Sequence, residues 1–193
     1  MWAAGVLATL VTLAPPSEAS ALDPIVAGTK DVGLGGTISI SHGTSDGFDT
    51  VTGLQLLPHV GFIVTDSAGP SLLRGNLEAL VEPTLMHLGS DAGSATVLGV
   101  STLARWIFSG TPRLRTYVEG GVGVLVGEPH LQQTDCETNF LLQAGTGVMV
   151  VLSDTTTLSV GYRFQHISNG GTCSFNVGIN SSALYLGVNY FFR

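Results

Sequence analysis

Apolar and polar residues alternate along most of the chain after residue 31, in stretches separated by turn-forming residues. Because successive side chains of a β-strand point to opposite faces, this period of two predicts strands with one apolar and one polar face. The clearest stretch alternates Leu73, Leu77, Ala79 and Val81 with Arg74, Asn76, Glu78 and Glu82. Eight strands are predicted, at about 32–42, 51–64, 72–87, 95–108, 113–126, 139–152, 156–168 and 182–192.

The charged residues share the polar face with many glycines, which suit the narrow interior of a small barrel. The aliphatic face is then predicted to contact lipid, as in an all-β, eight-stranded antiparallel transmembrane β-barrel. Eight strands leave room only for side chains inside, so we expect no pore. The interior is expected to pair three arginines with three glutamates, namely Arg74, Arg115 and Arg163 with Glu78, Glu82 and Glu119. The alternative is a soluble lipocalin-like barrel with its aliphatic face inside.

Composition favours the membrane alternative. Charged residues make up 11% of the 193 residues, whereas soluble domains carry about 25%. The net charge of −7 argues against binding to nucleic acid, which needs a basic surface. The length fits one domain.

The N-terminus has the pattern of an export signal. Residues 2–14 are apolar, Pro15 and Pro16 follow, and Ala19-Ser20-Ala21 has the small-x-small form of a cleavage site. Residues 1–21 are therefore predicted to be a signal peptide, and residues 22–193 an outer-membrane barrel. No later stretch of about 18 apolar residues predicts a transmembrane helix, and a closed barrel is the other structure that satisfies its backbone in lipid.

Loop lengths predict which end of the barrel faces outward. Segments 67–70, 109–112 and 153–155 are short, whereas 43–50, 127–137 and 169–181 are longer. Outer-membrane barrels have short periplasmic turns and longer outer loops, so strand seven is expected to end on the outer side. Cys136 and Cys173 both fall in outer loops; a disulfide and two free thiols both remain open, and their spacing indicates no metal site.

Strand seven carries the residues that point to chemistry. Leu158, Val160, Tyr162, Phe164, His166 and Ser168 share the lipid-facing side. A histidine beside a serine is the minimum for an activated nucleophile, because a neutral imidazole can accept the hydroxyl proton. Asn180 has the same outward parity in the neighbouring strand and can orient the histidine. The alternative is that His166 and Ser168 have no catalytic role and only contact water at the level of the lipid headgroups.

The segment from Gly161 to Gly171, GYRFQHISNGG, followed by Asn176-Val177-Gly178-Ile179-Asn180, resembles the signature of the lipid A 3-O-deacylase family of PagL type. The His-x-Ser-Asn core and the trailing Asn-x-Gly-x-Asn are the specific part. A looser resemblance extends through segments 57–61 and 74–78.

The resemblance implies an eight-stranded barrel whose active site lies on the lipid-exposed wall, with His166 as base and Ser168 as nucleophile. Well-known members have a glutamate where this chain has Asn180, which can orient a histidine but adds no charge. Glu137 is an alternative carboxylate. The family also implies main-chain donors after the serine, so Asn169 and Gly171 are the candidates for an oxyanion hole, although the same residues also suit a flexible hairpin loop.

The sequence leads to two alternative hypotheses of function. The first is a serine esterase that removes an ester-linked acyl chain from lipid A, without a cofactor, in the outer membrane. The second is a non-catalytic barrel that packs the membrane or binds surface ligands. The lipid A mass before and after expression distinguishes them. Lipid A is the expected partner and nucleic acid is not, whereas the sequence leaves a homodimer open.

Overall fold

The computed structural model of the chain describes residues 25–42, 48–127, 133–134 and 136–193. The predicted signal peptide at 1–21 lies outside these residues. Among the residues described, no helix is long and apolar enough to cross a membrane.

The fold is a closed barrel of eight antiparallel strands in which each strand pairs with its neighbours in sequence and β1 pairs with β8. The strands are β1 Lys30–Ser41, β2 Thr52–Ile63, β3 Gly75–Ser90, β4 Gly93–Phe108, β5 Leu114–Gly127, β6 Thr138–Val151, β7 Thr156–Ser168 and β8 Ile179–Phe192. A short 3-10 turn, Ser71–Leu73, precedes β3. The predicted fold class is confirmed. Backbone hydrogen bonds join these segments into one sheet, and the alternation of side chains gives every strand an aliphatic face on the outside.

The outer wall is aliphatic and the lumen is polar. Side chains such as Ile38, Leu54 and Leu184 are 71%, 62% and 72% exposed, whereas Glu78 and Arg163 are 0% and 1% exposed. A soluble barrel would have the opposite arrangement, because its aliphatic side chains would fill the interior. The wall is therefore suited to lipid, as in membrane-spanning barrels.

The middle of the lumen contains a network of ion pairs. Arg105 binds Glu78 at 3.1 Å and Glu119 at 2.9 Å, and Arg163 binds Glu82 at 2.7 Å and Glu119 at 2.6 Å. Burying these charges is tolerated because each is paired and hydrogen-bonded. The partners come from β3, β4, β5 and β7, so the network joins distant parts of the wall.

Two of the arginines expected in this network are elsewhere. Arg74 is exposed in the segment before β3, so its predicted interior position is wrong. Arg115 points inward near the start of β5 but makes no ion pair with the glutamates among the described residues. Arg105 of β4 takes their place, because its Cα lies directly opposite those of Glu78 and Glu119 in the neighbouring strands.

Apolar side chains close the lumen above and below this polar middle. One cluster, at the end that carries the β7–β8 loop, includes Met86, Leu125, Leu141 and Ile167. A second, at the opposite end, consists of Ile25, Ile63, Ile107, Tyr117, Met149 and Phe191. Glycine is needed where these side chains fill the bore, since a Cβ at Gly147 would lie 2.5 Å from the hydroxyl of Tyr117.

The loops match the expected pattern only in part. The β5–β6 and β7–β8 connections are long and lie at the same end, as expected. However, residues 91–92 form a tight β3–β4 turn at that end, and the opposite end has the longer β2–β3 connection, residues 64–74.

Candidate active site

Strand β7 carries His166 and Ser168 on the outside of the barrel, close to the end that bears the long loops. Gln165 and Ile167 point into the lumen and are buried, whereas His166 and Ser168 are half-exposed on the wall. This is the position that the alternation predicts. Below them on the same face, Val160, Tyr162 and Phe164 form an exposed apolar row.

His166 is held by Asn180 of the adjacent strand. The two Cα atoms are direct partners in the β7–β8 ladder, and the distance from His166 Nδ1 to Asn180 Oδ1 is 2.7 Å. The amide oxygen can only accept a hydrogen bond, so Nδ1 carries the proton and donates it. The other nitrogen, Nε2, is therefore left with a lone pair, which is the form that a general base requires.

Ser168 lies two residues further along the same face, opposite Phe140 of β6. No hydrogen bond joins Ser168 to His166 among the residues that the structure describes. Catalytic hydrogen bonds are often long without substrate and shorten when it binds. The structure thus joins His166 to Asn180 and places Ser168 next to them on the same wall, without a direct hydrogen bond to the ring.

Gly178 packs against this pair and was not predicted as part of the site. A Cβ at Gly178 would lie 3.1 Å from His166 Cε1 and 3.6 Å from Ser168 Cβ, and its φ of +76° favours glycine. The residue closes one side of the site without filling it. The spacing Asn-x-Gly-x-Asn was the available signal, since it places this glycine two residues before Asn180.

The two main-chain N–H groups that the sequence suggests for an oxyanion hole are already hydrogen-bonded within the loop that follows Ser168. The Asn169 N–H donates to Asn176 Oδ1 at 3.0 Å, and the Gly171 N–H donates to Asn169 Oδ1 at 2.8 Å. The Asn169 side chain is fully buried and also donates to the Phe175 carbonyl. Gly170, between them, has an N–H that donates to no acceptor among the described residues.

A disulfide holds this loop against the β5–β6 loop. Cys136 is bonded to Cys173, with Cα atoms 5.9 Å apart, inside the limit of about 7 Å for such a bond. Beside it, the Gln133 carbonyl accepts hydrogen bonds from the N–H groups of Val177 and Gly178. The two loops together fix the segment that carries Gly178 over the site.

Glu137 does not take the place of the orienting group in this structure. Its side chain is exposed, and within the described ranges no ion pair or hydrogen bond links it to His166. The imidazole ring of His166 is hydrogen-bonded to Asn180 instead.

A second polar cluster lies next to the site on the same wall. The His42 Nε2 is 2.7 Å from Ser182 Oγ, and the Tyr162 hydroxyl is 2.9 Å from the same oxygen. Only Tyr162 was placed on the outer face from the sequence, and no function was assigned to it. Parity would have placed Ser182 there too, since it is two residues beyond Asn180.

These polar side chains border an apolar groove that descends the wall. A cleft of about 370 Å³ is lined by Tyr162 and Ser182 together with Ile38, Ile40 and Leu184. It shares Ile38 and Leu184 with a larger groove of about 630 Å³ along β1, β2, β7 and β8. The larger groove exists because Gly36, on the outer face of β1, has no side chain to fill it.

Residues 71–189 match the family of lipid A 3-O-deacylase (PagL). This segment is more than half of the chain and contains His166, Ser168, Asn180 and the loop between β7 and β8. The chain belongs to this lipid A 3-O-deacylase family. No curated protein sequence matches the chain.

Solved structures similar to this PagL-family chain are small membrane barrels. The crystal structure of the outer membrane enzyme PagL is 20% identical, covers 81% of this chain and 97% of its own, and has a TM-score of 0.59. Neisserial surface protein A is 18% identical, with 86% and 99% coverage and a TM-score of 0.62. The N-terminal barrel domain of Pseudomonas aeruginosa OprF is 15% identical, with 86% and 98% coverage and a TM-score of 0.54. These values support the fold alone, and function must be argued from the site.

Proposed function

We propose that the chain is a serine esterase of the outer membrane that hydrolyses the acyl ester at the 3-O position of lipid A. The observation that carries the proposal is the hydrogen bond between His166 and Asn180, which leaves Nε2 of the ring unprotonated beside Ser168 on the lipid-facing wall. The ester carbonyls of lipid A lie at the boundary between headgroups and acyl chains. A site on the wall near the rim is at that depth, and the substrate reaches it by lateral diffusion.

The reaction has two stages. The Ser168 hydroxyl attacks the ester carbonyl carbon while His166 Nε2 accepts its proton. The tetrahedral intermediate then collapses, and the sugar oxygen leaves with the proton from His166. Water next attacks the acyl–Ser168 ester, again losing a proton to His166, and the fatty acid and the free serine are released. Asn180 keeps the ring in the required tautomer throughout.

The negative oxygen of the intermediate needs hydrogen-bond donors. In the described conformation the Asn169 and Gly171 amides donate within the loop, so they would have to exchange partners in order to bind it. The Gly170 N–H needs no such exchange, and we infer that it is the first donor. Asn169 and Gly171 remain candidates for the second.

Residues 1–21 are proposed to be the export signal that directs the chain to this membrane. In the mature protein the barrel alone would then carry the activity, without a cofactor.

The test is the mass of lipid A from cells that express the wild-type chain or Ser168→Ala. The wild type should remove one ester-linked chain, and Ser168→Ala should leave lipid A intact because it has no nucleophile. His166→Ala should lower the rate by at least about 100-fold, the contribution typical of a general base. Ser153→Ala, in the turn at the opposite end, is a control that should act like the wild type. If lipid A stays intact in cells that express the folded wild-type barrel, the barrel is non-catalytic. If the Ser168→Ala variant still removes the acyl chain, the assignment of Ser168 as the nucleophile is wrong.

A further inference from the structure

Positive charge is concentrated at the end of the barrel opposite the β7–β8 loop. Two of the seven lysine and arginine residues, Arg105 and Arg163, form the ion pairs of the lumen. The other five all lie at this end, namely Lys30, Arg74, Arg113, Arg115 and Arg193. Two exposed acids of the described residues, Asp66 and Asp154, lie there too. This end therefore suits an anionic partner.

Three of these arginines are brought together by the ends of β3, β4 and β5. The Ser109 N–H donates to the Arg74 carbonyl at 2.7 Å. A Cβ at the next residue, Gly110, would lie 3.0 Å from the Arg115 Cα. Arg74 and Arg115 are thus two strand spacings apart, which puts their Cα atoms at about 10 Å from each other. Arg113 precedes Arg115 by two residues and shares its parity. We call these three arginines the basic cluster.

The basic cluster has hydrogen-bond donors that the protein does not use. Among the described residues, no ion pair joins its arginines to a carboxylate. The Arg115 Nε is buried without a hydrogen-bond partner there, which costs free energy. The nearby acid Asp66 instead accepts the Ala27 N–H at 3.0 Å. The hydroxyls of Ser67 and Ser109 are 3.1 Å apart, so one hydroxyl hydrogen joins them and the other is left for an external acceptor. Together these donors suit a group with several anionic oxygens.

Apolar side chains border the basic cluster on its lipid-facing side. Leu72 and Leu73, directly before Arg74, are 91% and 60% exposed. The Trp106 indole N–H donates to the Leu73 carbonyl at 3.1 Å and so holds this turn against the outer wall. Tryptophan and long cationic side chains are typical of the boundary between acyl chains and headgroups. Exposed leucines gain free energy on leaving water, so the partner that fits both halves is a lipid with an anionic headgroup.

We propose that the basic cluster binds the phosphate group of an anionic phospholipid, whose acyl chains lie against Leu73 and Trp106. Guanidinium groups suit phosphate because their planar fork donates two parallel N–H bonds to its oxygens. A zwitterionic headgroup binds less well, because its ammonium group is repelled by the three guanidinium groups. The site lies at the opposite end of the barrel from Ser168 and is independent of the proposed hydrolysis.

The test is the quenching of Trp106 fluorescence by brominated lipids. Trp2→Phe in every protein leaves Trp106 as the single tryptophan. Barrels are refolded at low ionic strength into phosphatidylcholine vesicles that contain increasing fractions of dibrominated phosphatidylglycerol or of dibrominated phosphatidylcholine. The two quenching curves give the binding constant of one lipid relative to the other, and circular dichroism checks folding.

The test variant is the double substitution Arg74→Gln, Arg115→Gln. Its matched control is Lys30→Gln, Arg193→Gln, which removes the same charge from the same end of the barrel. The control residues lie at the ends of β1 and β8, away from Trp106 of β4.

The parent protein and the control should bind phosphatidylglycerol about fivefold more tightly than phosphatidylcholine, the upper range for an exposed ion pair. In the test variant this ratio should fall to near one. If that variant does not fold, Arg74→Gln alone, in an exposed segment, should still lower the ratio about twofold. The proposal is overturned if the parent shows no preference, or if both double variants lose it equally, since net charge alone would then explain it. It is also overturned if millimolar inorganic phosphate abolishes the preference and chloride at equal ionic strength does not, because the site then takes a free anion.

Discussion

At the scale of single residues, the identity of residue 180 sets how well the base is supported. Asn180 accepts the Nδ1–H of His166 at 2.7 Å but carries no charge. When His166 takes the serine proton it becomes a cation, and a neutral amide stabilises that cation less than a carboxylate does, because a carboxylate adds the attraction of an opposite charge. Well-known members of the family that the chain resembles have a glutamate at the position of Asn180.

Asn180→Glu is therefore expected to raise kcat for lipid A hydrolysis by about tenfold, equivalent to about 1.4 kcal/mol. Asn180→Leu, which has a similar size but no acceptor, should lower kcat by at least about tenfold because the ring loses its fixed tautomer. Single-turnover assays of the purified variants measure both effects. A leucine variant as fast as the wild type would show that the ring needs no orienting partner.

The residues of the site differ in how far the sequence could predict them. Parity places His166, Ser168 and Asn180 on the outer wall, because they lie on two adjacent strands of one hairpin. Their choice as a site also needed the family resemblance. The contact of His42 with Ser182 requires β1 to pair with β8, which is set by closure of the whole barrel. Arg105 was missed for a related reason, since its partners depend on the register between strands β3, β4 and β5.

At the scale of elements, the β7–β8 loop owes its shape to contacts from outside its own hairpin. The Cys136–Cys173 disulfide and the hydrogen bonds to Gln133 attach it to the β5–β6 loop. Alternation predicts the strands within a few residues, but it contains no information on how irregular segments pack against each other. The sequence therefore left the disulfide open, and it gave no sign that the Asn169 and Gly171 amides would donate within the loop.

Breaking the disulfide should lower activity while the barrel remains folded. The bond closes a separation of 37 residues, for which chain entropy gives about 3 to 4 kcal/mol. That stabilisation acts chiefly on the loop, because strand pairing holds the rest of the wall. In a Cys136→Ser, Cys173→Ser double variant, amide hydrogen exchange in residues 169–178 should accelerate and lipid A hydrolysis should slow.

Chemical reduction of the disulfide provides the control for this prediction. Dithiothreitol should slow the wild type to the rate of the double variant and should leave the double variant unchanged. Equal activity of the oxidised wild type and the double variant would mean that the loop keeps its shape without the bond.

At the scale of the whole molecule, the same alternation produces both a wall for lipid and a lumen of paired charges. The site occupies the wall, so the lumen is free to serve stability alone. The ion pairs of Arg163 join strands that are not neighbours: Arg163 of β7 donates to Glu82 of β3, 81 positions apart in sequence. Such contacts across the bore help to fix the cross-section of the barrel, whereas the spacing between β7 and β8 is set by their own backbone ladder.

Removing one partner of this network should destabilise the barrel more than removing two. Arg163→Met leaves the Glu82 carboxylate buried without its bidentate partner, and Glu119 keeps only Arg105. Breaking a buried pair in this way costs about 3 to 5 kcal/mol. Adding Glu82→Gln to Arg163→Met removes the stranded charge, so the double variant should recover part of the lost stability. Urea unfolding of barrels in lipid vesicles, followed by tryptophan fluorescence, gives the free energies of unfolding. A double variant that is less stable than Arg163→Met alone would show that Glu82 is solvated in the lumen and that the pair does not fix the cross-section.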